Sequence, residues 1–177
     1  MKIIKTKIKD LLIFKQKNNI DRRGSLRETY NKKILKKNFV FEYCTTSKAN
    51  ALRGFHFQYK FQQAKFVSVI KGKILDYVID LRKNSKTFGK TFKIILSQKN
   101  SLGLYIPAGF AHAYYSYDKE NIIYYKLDNY YNPKFESGII YNEPSLNLRW
   151  PTNNIKISKK DKNLLTISGF KKKFKYL

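Results

Sequence analysis

Two histidines are the only imidazoles in 177 residues, and each lies in a stretch suited to holding it rigidly. His56 falls within LRGFHFQYKFQQAK, Leu52 to Lys65, where Arg53, Gln58 and Lys65 are interleaved with Leu52, Phe55 and Phe57. On a strand, period two puts Leu52, Gly54 and His56 on one face and Arg53, Phe55 and Phe57 on the other. Gln58 returns to the face of His56. A twist or bulge is needed to bring Arg53 and Lys65 round to the same pocket. Imidazole changes charge near neutral pH, so a strand-borne histidine among cations suits proton transfer on an anionic substrate. The plainer alternative is an amphipathic strand with a satisfied histidine.

His112 ends IPAGFAH, where Pro107 and Gly109 suggest a fixed corner leading into a strand. The two histidines are far apart in sequence, and no HxH or HExxH spacing joins them. Zinc and iron sites usually take three or more protein ligands, so no metal is expected. Neither GxGxxG nor GxxxxGK[ST] occurs, which removes the nucleotide-fold signatures. Tyr124 and Tyr125 precede Lys126 in a strand pattern, and neighbouring tyrosines face opposite ways, so only one can share a pocket with His56. Asp161 precedes Lys162 in a polar stretch and on that ground alone reads as solvated. Cys44 is the sole cysteine, which excludes an intrachain disulfide and fits a reducing compartment.

The elements that must carry these groups are mostly strands. Residues 1–14 alternate loosely and suggest one or two short strands. Asn18 to Gly24 reads as a polar turn region. The four-residue recurrence of Glu28, Lys32 and Lys36 suggests a short surface helix within Leu26 to Lys37. Strands follow at Phe39–Tyr43, Leu52–Gln58, Lys65–Ile70, Ile74–Leu81, Thr91–Ser97, Ser101–Ile106, His112–Tyr117 and Ile122–Leu127. Shorter ones are expected at Ile139–Tyr141 and Leu146–Trp150. The final KKKFKYL either frays or docks through Phe174 and Leu177. Eight or more short strands without crossover helices imply an antiparallel sandwich or barrel, in one domain over 1–177.

Composition narrows the partners less. With 37 basic and 12 acidic residues the formal charge is +25, which attracts polyanions without choosing among them. A basic nucleic-acid-binding β-barrel is therefore the reading of another class, though specific nucleic-acid binding is not expected. The charged N-terminus, MKIIKTKIKDLLIFKQK, is unlike a signal peptide. No window approaches the ~20 apolar residues of a membrane span. Membrane insertion is not expected, and a cytoplasmic location is.

An ordered set of motifs resembles the dTDP-4-dehydrorhamnose 3,5-epimerase family over nearly the whole chain. It comprises DRRG at 21–24, LRGFHFQ at 52–58, QAK at 63–65, the D…DLR of Asp76 to Arg82, SKTFGK at 85–90 and IPAGFAH at 106–112. YYKLDNYYNP at 124–133, YNEP at 141–144, LRWP at 148–151 and SKKDK at 158–162 complete it. The resemblance implies an all-β, antiparallel jelly-roll barrel of the cupin type with short peripheral helices, a homodimer, and turnover without metal or other cofactor. It implies a nucleotide-diphosphate sugar as substrate, epimerised at C3 and C5 beside a 4-keto group.

Carried over by position, the resemblance makes His56 the general base, Asp161 the carboxylate that orients it, and Tyr125 the acid on the opposite sugar face. Lys65 falls near the keto oxygen. Arg23, Glu28, Arg53, Gln58 and His112 fall in the substrate pocket or its immediate support, as do Tyr131 and Glu136. Arg53 and Lys162 suit the diphosphate. The chain departs from the family at FVFEYCT, 39–45, where Phe41, Tyr43 and Cys44 stand at positions commonly glutamine, asparagine and histidine. Those departures bear on sugar and base specificity, and on whether one or both carbons invert.

Overall fold

Short β-branched and aromatic runs, separated by turns, build two facing antiparallel sheets in the computed structural model, which describes residues 1–177. The chain begins with β1 (Lys2–Lys5), β2 (Leu12–Lys15), β3 (Lys17–Asp21), β4 (Gly24–Glu28) and a helical turn, α1 (Lys32–Leu35). Next come β5 (Phe41–Ser47), β6 (Leu52–Gln58), β7 (Lys65–Lys71), β8 (Lys73–Asp80) and β9 (Thr91–Ser97). β10 (Leu102–Ile106), β11 (Phe110–Ser116), β12 (Asn121–Leu127) and β13 (Glu136–Gly138) complete the strands, before α2 (Lys159–Lys162) and α3 (Ile167–Phe174).

One sheet has the order β1-β2-β10-β7-β12-β5 and the other β13-β6-β11-β8-β9. From β5 onward the chain changes sheet at nearly every step, which is the cupin-type jelly roll. Val67, Val69, Val78, Leu104, Ile123 and Leu127 fill the space between the sheets. Strand alternation directs the remaining inward positions of the same strands to the polar site described below.

The outer face of the five-stranded sheet is covered by α3. Ile167, Phe170 and Phe174 share one side of that helix and meet the sheet through Phe57, which packs edge-on to Phe170 at 5.6 Å and Phe174 at 5.8 Å. Thr166 caps the helix by accepting from the Gly169 N–H at 3.0 Å. Fully buried Phe170 contributes about 1.5–3 kcal/mol by area. The basic tail docks: the Leu177 N–H donates to Leu81 O, and the Lys83 N–H donates to Leu177 O, both at 2.8 Å.

The short helix expected within 26–37 is Lys32–Leu35, with Asn31 as its cap and Leu35 as its one buried side chain, while Leu26 to Glu28 belong to β4. Three expectations change. The region from 18 to 24 is mostly strand, pairing β3 with β4 about Arg22 and Arg23. At Ile139–Tyr141 the ladder instead uses Glu136–Gly138, and Ile139 makes a single bridge to Leu165. Leu146–Trp150 forms no strand. Pro144–Leu146 is a 3₁₀ turn, and Trp150 packs on Phe55 and Tyr77 while its Nε1–H donates to Tyr141 O. Apolar alternation there serves packing rather than pairing.

Candidate active site

The site begins with a register shift. Across β6 and β11, His56 lies opposite His112, and Arg53 lies opposite Tyr114. Three steps on β6 thus match two on β11, so β6 is bulged between Arg53 and His56. The bulge cancels the odd spacing and turns Arg53 and His56 to the same inner face. Gly54 is required inside it. Its φ is +107°, and a Cβ would stand 2.4 Å from the His112 carbonyl oxygen.

The same irregular strand receives Asp161. Ser158 caps α2 by accepting from the Asp161 N–H at 3.0 Å, which fixes the carboxylate beneath β6. Asp161 Oδ1 lies 2.8 Å from His56 Nε2, and Oδ2 accepts from the Gly54 N–H at 3.2 Å. Burial pushes the Asp161 pKa up. The His56, Gly54 and Ser158 contacts outweigh it and hold the carboxyl below its ordinary value. An ionised Asp161 accepts the Nε2 proton, which leaves the Nδ1 lone pair free as the basic one. The His56 side chain keeps 27% of its exposure, so that nitrogen is accessible.

Glu136, on β13, lies 3.9 Å from His56 Nδ1. Its other oxygen accepts from Tyr131 Oη at 2.9 Å and is ion-paired with Lys160. Burial raises the Glu136 pKa, but Lys160, His56 and Tyr131 together bring it below the ordinary value. Gln58 pins the adjoining loop. Its Oε1 accepts from the Asn132 N–H at 2.7 Å, and its amide donates to Phe61 O and Tyr130 O.

The facing sheet supplies Tyr125 and Lys65. Register sets Tyr125 opposite Val67 and Leu127 opposite Lys65, so both functional side chains share the inward face with core residues. Tyr124 points outward to Glu42. Tyr125 is 3% exposed, and burial, then Tyr114, Tyr43 and Asp76, push its pKa well above 10. The phenol is therefore protonated throughout the physiological range. Its ring stacks on Tyr43 at 4.8 Å and meets the edge of His112 at 6.2 Å. Tyr43, at a departing position, thus clamps the phenol from the neighbouring strand.

Burial lowers Lys65 to about 8 against the attraction of Glu136 and Asp76, and the ammonium is in no salt bridge. It is a cation held available inside the site. His112 is buried and bonds Asp76 Oδ2 through Nε2 at 2.8 Å, so it buttresses Tyr125 from behind rather than lining the opening. Arg53 is exposed and donates through Nε to Ser47 Oγ at 3.2 Å.

The remaining sequence-predicted residues lie elsewhere. Arg23 is 91% exposed at the tip of the β3–β4 hairpin, paired only with Asp21 at 2.7 Å. Glu28, at the base of that hairpin, accepts from Asn31 Nδ2 at 2.6 Å. Lys162 is exposed on α2, and Lys160 is the lysine that reaches Glu136. Sequence reasoning missed Lys160 because helical phase decides which lysine of SKKDK faces Glu136. It also missed Asp76, although a charge within the apolar run ILDYVIDL was its signal. Asp80 of that run is structural, binding Arg82, Ser85 and Thr87 and so explaining DLR and SKT.

A jelly roll with an imidazole–carboxylate pair on one sheet, and a buried phenol with a free ammonium on the other, defines a cupin-type acid–base enzyme. The chain belongs to the dTDP-4-dehydrorhamnose 3,5-epimerase family, whose sequence pattern matches residues 5–168. It is 38% identical over 170 residues to the dTDP-4-dehydrorhamnose 3,5-epimerase of Shigella flexneri, covering 92% of this chain and 94% of that one. The enzyme of that name from Methanothermobacter thermautotrophicus is 37% identical over 170 residues, 92% of each chain. Among solved structures, a Legionella pneumophila dTDP-6-deoxy-D-glucose-3,5-epimerase in complex with dTDP-4-keto-L-rhamnose superposes with a TM-score of 0.90 at 34% identity, over 94% of this chain and 93% of that one. A Bacillus anthracis dTDP-4-dehydrorhamnose 3,5-epimerase with TDP and PPi bound gives 0.90 at 35% identity, over 94% and 99%.

Proposed function

We propose that this chain inverts C3 and C5 of dTDP-4-dehydro-6-deoxy-D-glucose, giving dTDP-4-dehydro-L-rhamnose. The observation that carries the reading is the opposition of the His56–Asp161 pair on one sheet and Tyr125 on the other. The family membership, and the sugar nucleotide in the Legionella relative, support the substrate class.

The chemistry follows from the 4-keto group, which acidifies the hydrogens on both neighbouring carbons. His56 Nδ1 removes the proton from one face, and the C–H electron pair moves into an enolate. Lys65 stabilises the enolate oxygen electrostatically. Asp161 stabilises the imidazolium and keeps its tautomer. Tyr125 donates its proton to the opposite face of the same carbon, which inverts the centre. Both centres flank one carbonyl, so the same set serves each in turn. Arg53 meets the diphosphate, and Glu136, held by Tyr131 and Lys160, contributes to the sugar pocket.

The working unit in this reading is a cytoplasmic homodimer of one catalytic domain. A lone hairpin is marginal in water, yet β3–β4 joins neither sheet and leaves Ile20 77% and Leu26 68% exposed. Docking on a second copy would cover those side chains and carry Arg23 to that copy's surface.

The test is proton NMR of dTDP-4-dehydro-6-deoxy-D-glucose with the protein in D2O. Deuterium at C3 and C5 with the doubly inverted product is expected. Exchange and inversion at one carbon only would make it a single-centre epimerase, and no exchange would reject this substrate.

A further inference from the structure

An acid as enclosed as Tyr125 gives up a proton at each inversion and must recover one before the next. The structure holds a file of hydroxyls beside it. Register puts Thr45 on the inward face of β5, two residues along from Tyr43, which pairs with Tyr125. Thr45 Oγ1 lies 3.0 Å from Tyr114 Oη, and Tyr114 Oη lies 2.9 Å from Ser47 Oγ. Ser47 Oγ in turn accepts from Arg53 Nε at 3.2 Å, and Arg53 is exposed. Tyr114 and Ser47 are buried. Thr45 lies diagonally across from Tyr125 on that inward face, and its hydroxyl moderates the raised pKa of the phenol.

We propose that Thr45, Tyr114 and Ser47 form a proton relay that recharges Tyr125 from solvent at the Arg53 end. This rests on the reading that Tyr125 is the acid. After donation, the Tyr125 phenolate takes the Thr45 hydroxyl proton. Thr45 takes one from Tyr114, Tyr114 from Ser47, and Ser47 from water. The hydroxide so formed is neutralised by the proton that His56 returns to solvent, so the cycle closes without net charge. Each hydroxyl both donates and accepts, which is what a relay member needs. Arg53 cannot pass a proton, because guanidinium stays charged, but its cation favours developing negative charge at that end.

The variant that isolates the relay is Tyr114→Phe, which removes one oxygen and keeps the buried ring. Rapid-quench NMR of product should show a first inversion at the parent rate, because Tyr125 begins protonated. Later inversions should slow by about tenfold and be partly restored by imidazole buffer, a diffusible proton donor. Thr45→Val should give the same burst and the same rescue. Equal slowing of first and later inversions would make Tyr114 merely structural and overturn the relay. Unchanged later inversions in both variants would overturn it as well. If the parent chain fails to invert the sugar at all, the fault lies with the substrate reading and not with the relay.

Discussion

Replacing Lys65 with methionine should stabilise the protein while disabling it. Lys65 is displaced from 10.5 to about 8 by burial, which corresponds to ~3 kcal/mol of cost for keeping the ammonium charged in the fold. Methionine has a similar shape and no charge, so Lys65→Met relieves that cost. The sign follows from linkage. The folded pKa lies below the unfolded one, so the unfolded chain binds more protons between about 8 and 10.5, and parent stability rises with pH across that window. The advantage of the variant is therefore full near pH 7, shrinks from pH 8 upward and vanishes above about 10.5. In a chain this size ~3 kcal/mol is on the order of 6–12 °C in Tm. Urea unfolding of both proteins at pH 7 and pH 10 measures the difference, and deuterium wash-in measures the chemistry. Loss of the cation facing the enolate should cost about 10²–10³ in kcat. A variant less stable than the parent at pH 7, or a gain that does not change with pH, would refute the claim that the ammonium is held at an energetic cost.

Other outcomes follow from the same geometry. The kcat/KM of the parent should fall as pH rises through about 8, where Lys65 loses its proton, and a pH–rate profile checks it. Asp161→Asn should lower kcat by about 10²–10⁴, and His56→Ala combined with it should be scarcely worse than His56→Ala alone, since the pair acts as a unit. Tyr125→Phe should leave wash-in at the carbon facing His56 while inverted product drops, so the ratio of exchange to inversion is the readout. Ile20→Asp on β3 should shift sedimentation from dimer to monomer if the hairpin docks on a second copy.

Much of this protein was legible in one dimension. Short β-branched and aromatic runs bounded by turn residues located most strands, from Leu52–Gln58 through Ile122–Leu127, because such side chains suit a pleated, packed surface. The motif series singled out His56, Asp161, Tyr125 and Lys65, four residues separated by up to 105 positions along the chain. The rest needed three dimensions. Arg53 and His56 share a face only because one extra residue in β6 resets the pleat, and Gly54 hints at that bulge without fixing the register it produces. Lys160 rather than Lys162 meets Glu136 because Ser158 fixes the phase of one helical turn. His112 reads as a pocket residue or its support until Asp76, from another strand, is seen to hold it behind Tyr125, which makes it support. The β3–β4 segment looks like turn and helix in sequence because its strands are polar and face no core, so burial imposes no apolar alternation. Residue types and local periodicity thus determined the strands and the available chemistry. Strand register and helical phase decided which side chains meet, because contacts between distant segments depend on bulges and caps that change composition hardly at all.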